Sequence, residues 1–368
     1  MVIDRGPIPV IIPPDDAISR THAKMIAEIL RSSPRMKHFV WGLTYPWEES
    51  VLEALQTSCI NLRTFECFMV NNHLDAGSGI TRVFGLQNLE YLRLEISESG
   101  AAFEDTQVKR LSYLLRACPR IKHIELVLNE TTSKGTLWSP EELLSHLSDI
   151  NFPHLHTFRL LGPSVNPNWT TFFDPSSDSP LRKFFLSHPG LTNVGLGWAM
   201  RKGNANYANL TDVANIFQSV VEFEAPSFVC AVVIASELAS QLESISLTDS
   251  HDYHYSRLQL QRVAESVKPL PKLRKLALNF YHTGSETMSE VEDLFKFTPY
   301  LEDLKLEIPF DDPVGSSVCF IGMGPDRLMV PLGFGHTGAS PFTEPQNAEH
   351  SPVCSRPNGS GYRGVWMA

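Results

Sequence analysis

The 368-residue sequence has no apolar run of 18 residues; its longest such stretch, FVCAVVIA at 228–235, has eight. A membrane-spanning helix needs about 20 apolar residues, so none is expected. Positive charge is also scarce. There are 31 Lys and Arg against 41 Asp and Glu, a net charge of −10. That disfavours a general nucleic-acid binder, which needs a basic face to displace counterions, and electrostatic docking on anionic lipid. Six cysteines are too few for a disulfide framework in a chain this long. The N-terminus lacks the apolar helix of a signal peptide, because Asp4 comes early and PIPVIIPP holds four prolines. The expected location is cytoplasmic or nuclear. The Asn-X-Ser/Thr triplets at Asn129, Asn168, Asn209 and Asn358 are then not expected to carry glycans.

Signatures of catalysis are missing as well. Gly195, Leu196, Gly197 and Gly322, Met323, Gly324 have no third glycine and no following helix, so neither is a nucleotide fingerprint. No phosphate loop, zinc-protease helix or Gly-x-Ser-x-Gly elbow occurs. A non-catalytic protein without a cofactor is expected.

What the sequence does contain is a repeat: apolar, two variable, apolar, one variable, apolar. It occurs as Met36, Phe39, Trp41; Leu62, Phe65, Cys67; Leu89, Leu92, Leu94; Ile121, Ile124, Leu126; and Leu155, Phe158, Leu160. It continues as Leu191, Val194, Leu196; Val220, Phe223, Ala225; Leu242, Ile245, Leu247; Leu273, Leu276, Leu278; and Leu301, Leu304, Leu306. Successive copies start 22 to 36 residues apart, close to the leucine-rich-repeat period of roughly 20–29. The last two apolar positions of each copy are two apart, so they share one face of a short strand. A proline precedes the first position in six copies (Pro34, Pro119, Pro153, Pro189, Pro271, Pro299), where it stops a helix and needs no ladder partner.

Helical patterns fill the intervals, at 18–31, 48–57, 106–117, 210–219, 229–240, 257–267 and 288–297. Ser139, Pro140 and Glu142 read as an N-cap with proline in the first turn, and Ser179 with Pro180 opens another helix. One strand and one helix per unit predicts an α/β leucine-rich-repeat solenoid, a horseshoe with parallel strands on the concave face and helices on the convex face. The expected division is an N-terminal arm and capping helix at 1–33, a repeat domain at 34–310 and a tail at 311–368. That tail holds nine Gly and seven Pro in 58 positions, a composition that predicts disorder and is compatible with a translated intron.

Candidate sites are few. His251, His254, Asp249 and Asp252 are the densest set of possible metal ligands, but no cysteine pair or second histidine pair accompanies them, and a solvated loop is expected. Cys59, Cys67 and Cys118 occupy packing positions of the repeat. His154 and His156 flank Leu155 and should lie at the surface. The variable positions of each triplet face outward on the concave side. Their central members, Tyr91, Arg93, His123, Glu125 and Arg159, combine an aromatic with both charge signs, the residue types of interface anchors. The same residues could form a hydrated sheet surface stitched by Arg93–Glu125 and Glu125–Arg159 pairs.

The units CPRIKHIELVL (118–128), LQNLEYLRLEI (86–96), LPKLRKLALNF (270–280), TPYLEDLKLEI (298–308) and VVEFEAPSFVC (220–230) resemble the divergent repeat region of fungal F-box-like proteins. The resemblance covers residues 34–308. It implies a protein partner on the concave face, namely a substrate delivered to a ubiquitin ligase. Family members carry an N-terminal F-box that docks the ligase adaptor. Residues 1–33 lack its Leu-Pro-x-Glu start, so contact with the adaptor is expected only if the full gene product supplies that module. A stand-alone repeat regulator, for example of a small GTPase, is the alternative.

Overall fold

A computed structural model describes residues 16–42, 49–70, 85–97, 105–128, 139–162, 165, 167–197, 208–248, 270–279, 298–307 and 320–322. The chain divides into two compact units, Met1–Leu328 and Met329–Ala368, and every described residue belongs to the first. The helical expectations at 257–267 and 288–297 and the histidine cluster at 251–254 lie outside the described residues.

Each repeat triplet enters a strand. The strands are β1 (His38–Trp41), β2 (Thr64–Val70), β3 (Tyr91–Ser97), β4 (His123–Leu128), β5 (Thr157–Leu161), β6 (Asn193–Leu196), β7 (Glu222–Ala225), β8 (Ser244–Thr248), β9 (Lys275–Asn279) and β10 (Asp303–Glu307). They pair in sequence order and in parallel, with each triplet in register with the next, as in Leu92↔Ile124 and Leu126↔Leu160. An eleventh strand, β11 (Phe320–Gly322), pairs antiparallel with β10. It occupies what would otherwise be an open edge of unpaired amides and carbonyls.

The helices are α1 (Asp16–Arg31), α2 (Glu49–Ser58), α3 (Asp105–Arg116), α4 (Pro140–Ser145), α5 (Trp169–Phe173), α6 (Pro180–Ser187), α7 (Leu210–Ile216) and α8 (Ser227–Ala235), with a 3-10 turn at Glu237–Ser240. Strands that pair only with their sequence neighbours, with helices in the described connections after β1, β3, β4, β5, β6 and β7, make the unit an α/β repeat solenoid.

The apolar triplets build the core. Phe65, Leu92, Leu94, Ile124, Phe158, Val194 and Leu242 are all buried to within 1%. In β4 burial alternates along the strand, leaving His123, Glu125 and Val127 half-buried on the other face. A chain of rings runs through the middle: Phe158 lies 4.5 Å from Phe184 and 5.9 Å from Phe185, Phe185 lies 5.1 Å from Phe217, and Phe217 lies 5.2 Å from Phe223. Truncating a core Phe of this kind costs about 3–5 kcal/mol.

The turn before each strand is repeated down the molecule. In eight of the ten repeats the first apolar residue donates its amide to the carbonyl three residues back, as in Leu62 to Cys59, Ile121 to Cys118, Leu191 to His188 and Leu273 to Leu270; Leu89 and Leu242 differ. That earlier residue packs between repeats. Cys118 is fully buried, its Sγ accepts from the Leu89 amide at 3.4 Å, and burial pushes its thiol up to about 11. It is a packing residue rather than a nucleophile. His188 stands in the same place, with Nε2 accepting from the Phe152 amide at 3.0 Å and Nδ1 lying 2.7 Å from the Phe184 carbonyl. Burial lowers the His188 pKa.

The helix expected at 229–240 is split at Ser236 into α8 and the 3-10 turn, and two further local features differ from expectation. Ser139 precedes α4 but caps no amide; its hydroxyl donates to the Glu141 carboxylate at 2.5 Å. The side-chain position that donates to Glu141 leaves the Ser139 oxygen without a helix amide to accept from. Ser179 does cap, accepting from the Arg182 amide. Helix α5 was not expected, because five residues give no period to read. Asn168 caps it through the Thr171 amide, and Trp169, Phe172 and Phe173 bury against the ring chain. Asn209 likewise caps α7, so two of the Asn-X-Ser/Thr asparagines serve as helix caps.

Candidate functional site

The face of the sheet away from the helices holds the expected residues, and the structure brings all five together on β3, β4 and β5. Parallel register sets Tyr91 opposite His123, Arg93 opposite Glu125 and Glu125 opposite Arg159. The Tyr91 and His123 rings stack, with centroids 4.0 Å apart and planes within 12°. Arg93 places Nε 3.3 Å from Glu125 Oε1, and its guanidinium carbon sits 4.8 Å from the centre of the Phe68 ring on β2. Arg159 Nε is 3.4 Å from Glu125 Oε2, and His123 Nε2 is 3.5 Å from the same oxygen. Three cationic or donor groups thus lie 3.3–3.5 Å from the two Glu125 oxygens as charge contacts, with none of the three nitrogens hydrogen-bonded.

The row extends further than its expected centre. The Arg159 guanidinium continues past β6 and pairs with Glu224 on β7. It also donates from Nη1 to Asn193 Oδ1 at 3.2 Å, and Asn193 donates in turn to Glu222. Gly195 makes this reach possible. A Cβ there would lie 2.9 Å from Leu161 Cδ2 and 3.1–3.2 Å from the Arg159 stem, so a side chain would move the Leu161 methyl and crowd the arginine stem. Reading only adjacent-strand partners leaves Glu224 out. The signal that finds it is a glycine in the outward-facing row, with an arginine on one flank and a glutamate on the other.

These groups are shielded. The side chains of Glu125, Glu224 and Arg159 are 13%, 17% and 20% exposed. Burial works to raise the pKa of Glu125, but the His123 ring 3.5 Å away and the Arg159 and Arg93 charges outweigh it and leave it below the ordinary value. Glu224 goes the other way, because burial raises it more than its pairing with Arg159 lowers it. Burial, with the nearby Glu66 and Glu125 charges, raises the Tyr91 phenol. The neighbours of Glu125 thus more than offset its burial, whereas Arg159 offsets that of Glu224 only in part.

Among the described residues no group of three or more His, Cys, Asp or Glu side chains is arranged to hold a metal ion. No described helix is long and apolar enough to cross a membrane. Cys59, Cys67 and Cys118 are buried, as packing positions require, and His154 and His156 are exposed.

No family model matches the chain, and no curated protein matches it. Among solved structures, the chain is similar to the leucine-rich repeat-containing protein LegL7 from Legionella pneumophila, at 13% identity over 74% of this chain and 90% of that one, with a TM-score of 0.35. It is also similar to a protein from Bacteroides fragilis, at 14% identity over 84% of this chain and 87% of that one, with a TM-score of 0.34.

Proposed function

We propose that the chain is a non-catalytic protein-interaction scaffold that presents the open face of its repeat sheet to a protein partner. The observation that carries this reading is the sheet itself. Ten parallel strands in one register display a continuous row of outward side chains, the kind of surface repeat solenoids use for recognition. Tyr91, Arg93, His123, Glu125 and Arg159 form its centre, held in fixed positions by one another, so little side-chain entropy is lost on docking. The ionisable groups of the face are engaged with each other rather than poised around a reacting centre, which favours binding over catalysis.

The sequence resemblance to fungal F-box-like proteins supports a finer reading, in which the partner is a substrate and the chain is the recognition half of an F-box type ubiquitin ligase. In this reading residues 34–310 are the recognition domain, 1–33 its cap and 311–368 an appended tail, in the cytoplasm or nucleus. Affinity purification of the full gene product with mass spectrometry tests it. Ligase adaptor components should co-purify. Their absence, with other proteins retained, removes the ligase role and leaves a stand-alone scaffold. An Arg93→Ala variant should weaken partner capture while remaining folded, and unchanged capture would remove the open face as the site.

A further inference from the structure

A second surface lies where the strands begin. The residue before each strand accepts two backbone hydrogen bonds on its carbonyl from the next repeat. The Lys37 carbonyl takes the Arg63 and Thr64 amides, Arg63 takes Glu90 and Tyr91, Glu90 takes Lys122 and His123, and Lys122 takes His156 and Thr157. With the backbone satisfied inside the sheet, only the side chains of this leading edge face outward. At a strand spacing of about 4.8 Å, the leading turns of the first five repeats span roughly 20 Å.

Those turns are basic. They carry Arg35, Lys37, Arg63, Arg120 and Lys122 against a single carboxylate, Glu90, a local net charge of +4 in a chain whose net charge is −10. Glu90 is already taken, by Arg63 at 3.1 Å and Lys122 at 2.7 Å, and the Lys122 hydrogen bond, with the charges of Lys122, Arg63 and Arg120, holds its pKa below the ordinary value. Arg35, Lys37 and Arg120 are exposed and make no ion pair among the described residues. The leading turns of the last five repeats provide an internal control. They carry Lys272 and Arg274 against Glu243 and Glu302, a net charge of zero, with Arg274 paired to Glu302 at 2.8 Å.

We propose that the leading edge of the first five repeats binds an acidic peptide segment of a partner protein. Exposed guanidinium groups recognise carboxylates in bidentate fashion, and a local positive field on an acidic protein steers such a segment to one place. A nucleic acid is the weaker match. The aromatic faces nearest the edge, Tyr91 and His123, are stacked on each other and offer no platform for bases, and the rest of the chain repels a long polyanion. This surface is separate from the open-face ladder and does not depend on it.

The test uses the full chain and a fluorescent oligoglutamate peptide, read by anisotropy at low salt. The wild type should bind, and binding should weaken as salt screens the charges. Arg35→Glu with Arg120→Glu should lower affinity at least about tenfold, while Lys272→Glu should leave it unchanged. Should the reversed variant lose its fold by circular dichroism, Arg35→Gln with Arg120→Gln gives the same comparison with a smaller loss. No binding by the wild type, equal loss from Lys272→Glu, or a single-stranded oligonucleotide displacing the peptide at concentrations below those of unlabelled oligoglutamate would each overturn the proposal.

Discussion

The open face and the leading edge of one sheet use the same residue types to opposite effect. On the open face Arg93, Glu125, Arg159 and Glu224 alternate in sign across the strands, and each cation lies against a carboxylate. On the leading edge of the first five repeats there are five cations and one carboxylate, and of these cations only Arg63 and Lys122 pair with it. The difference follows from shielding. Face residues are partly withdrawn from water, and an unmatched charge there carries a desolvation penalty of several kcal/mol. Edge residues stay hydrated, and an unmatched charge there costs little. The face therefore had to be compensated, whereas the edge was free to carry a net charge.

The largest effect should come from breaking the ladder at Arg159. Arg159→Ala strands Glu125 and Glu224 in a shielded site and should cost about 2–3 kcal/mol in urea unfolding. A smaller cost, about 1–2 kcal/mol, is expected for Gly195→Ala, whose Cβ would crowd the Leu161 methyl and the Arg159 stem. A Gly195→Ala protein as stable as wild type would show that the arginine has another route.

The two carboxylates separate by pH. Glu125 is depressed in the fold, so its contribution is present above its unfolded pKa and is lost as pH falls through the folded one. Glu224 is raised, so the fold binds a proton more tightly than the unfolded chain does, and stability falls as pH rises from the unfolded pKa through the folded one. Thermal melts across mildly acidic pH should therefore show the gap between wild type and Glu125→Gln closing toward low pH, while the wild type loses stability relative to Glu224→Gln as pH rises. Parallel curves for both variants would contradict the opposed shifts. The smallest effect belongs to the edge. Arg120→Ala should change unfolding stability by no more than about 0.5 kcal/mol.

The contrast also explains what could be read from the sequence. The strands were legible because their apolar spacing is a packing rule that every copy obeys, from Leu62, Phe65, Cys67 to Leu273, Leu276, Leu278. The five central face residues were legible because strand alternation fixes their side of the sheet. Glu224 was not, because its tie to Arg159 spans a strand and depends on what Gly195 lacks. Helix α5 was hidden because its aromatic residues and Asn168 cap carry no period. The edge charge was in plain view as residues, but only the backbone pairing shows that Lys37, Arg63, Glu90 and Lys122 form one row.

The central claim is that face charges are mutually compensated and stabilising. A double-mutant cycle on Arg159→Ala and Glu224→Gln, measured by urea unfolding, tests it most directly. A favourable coupling of about 1 kcal/mol or more is predicted; single-variant costs that simply add would contradict it.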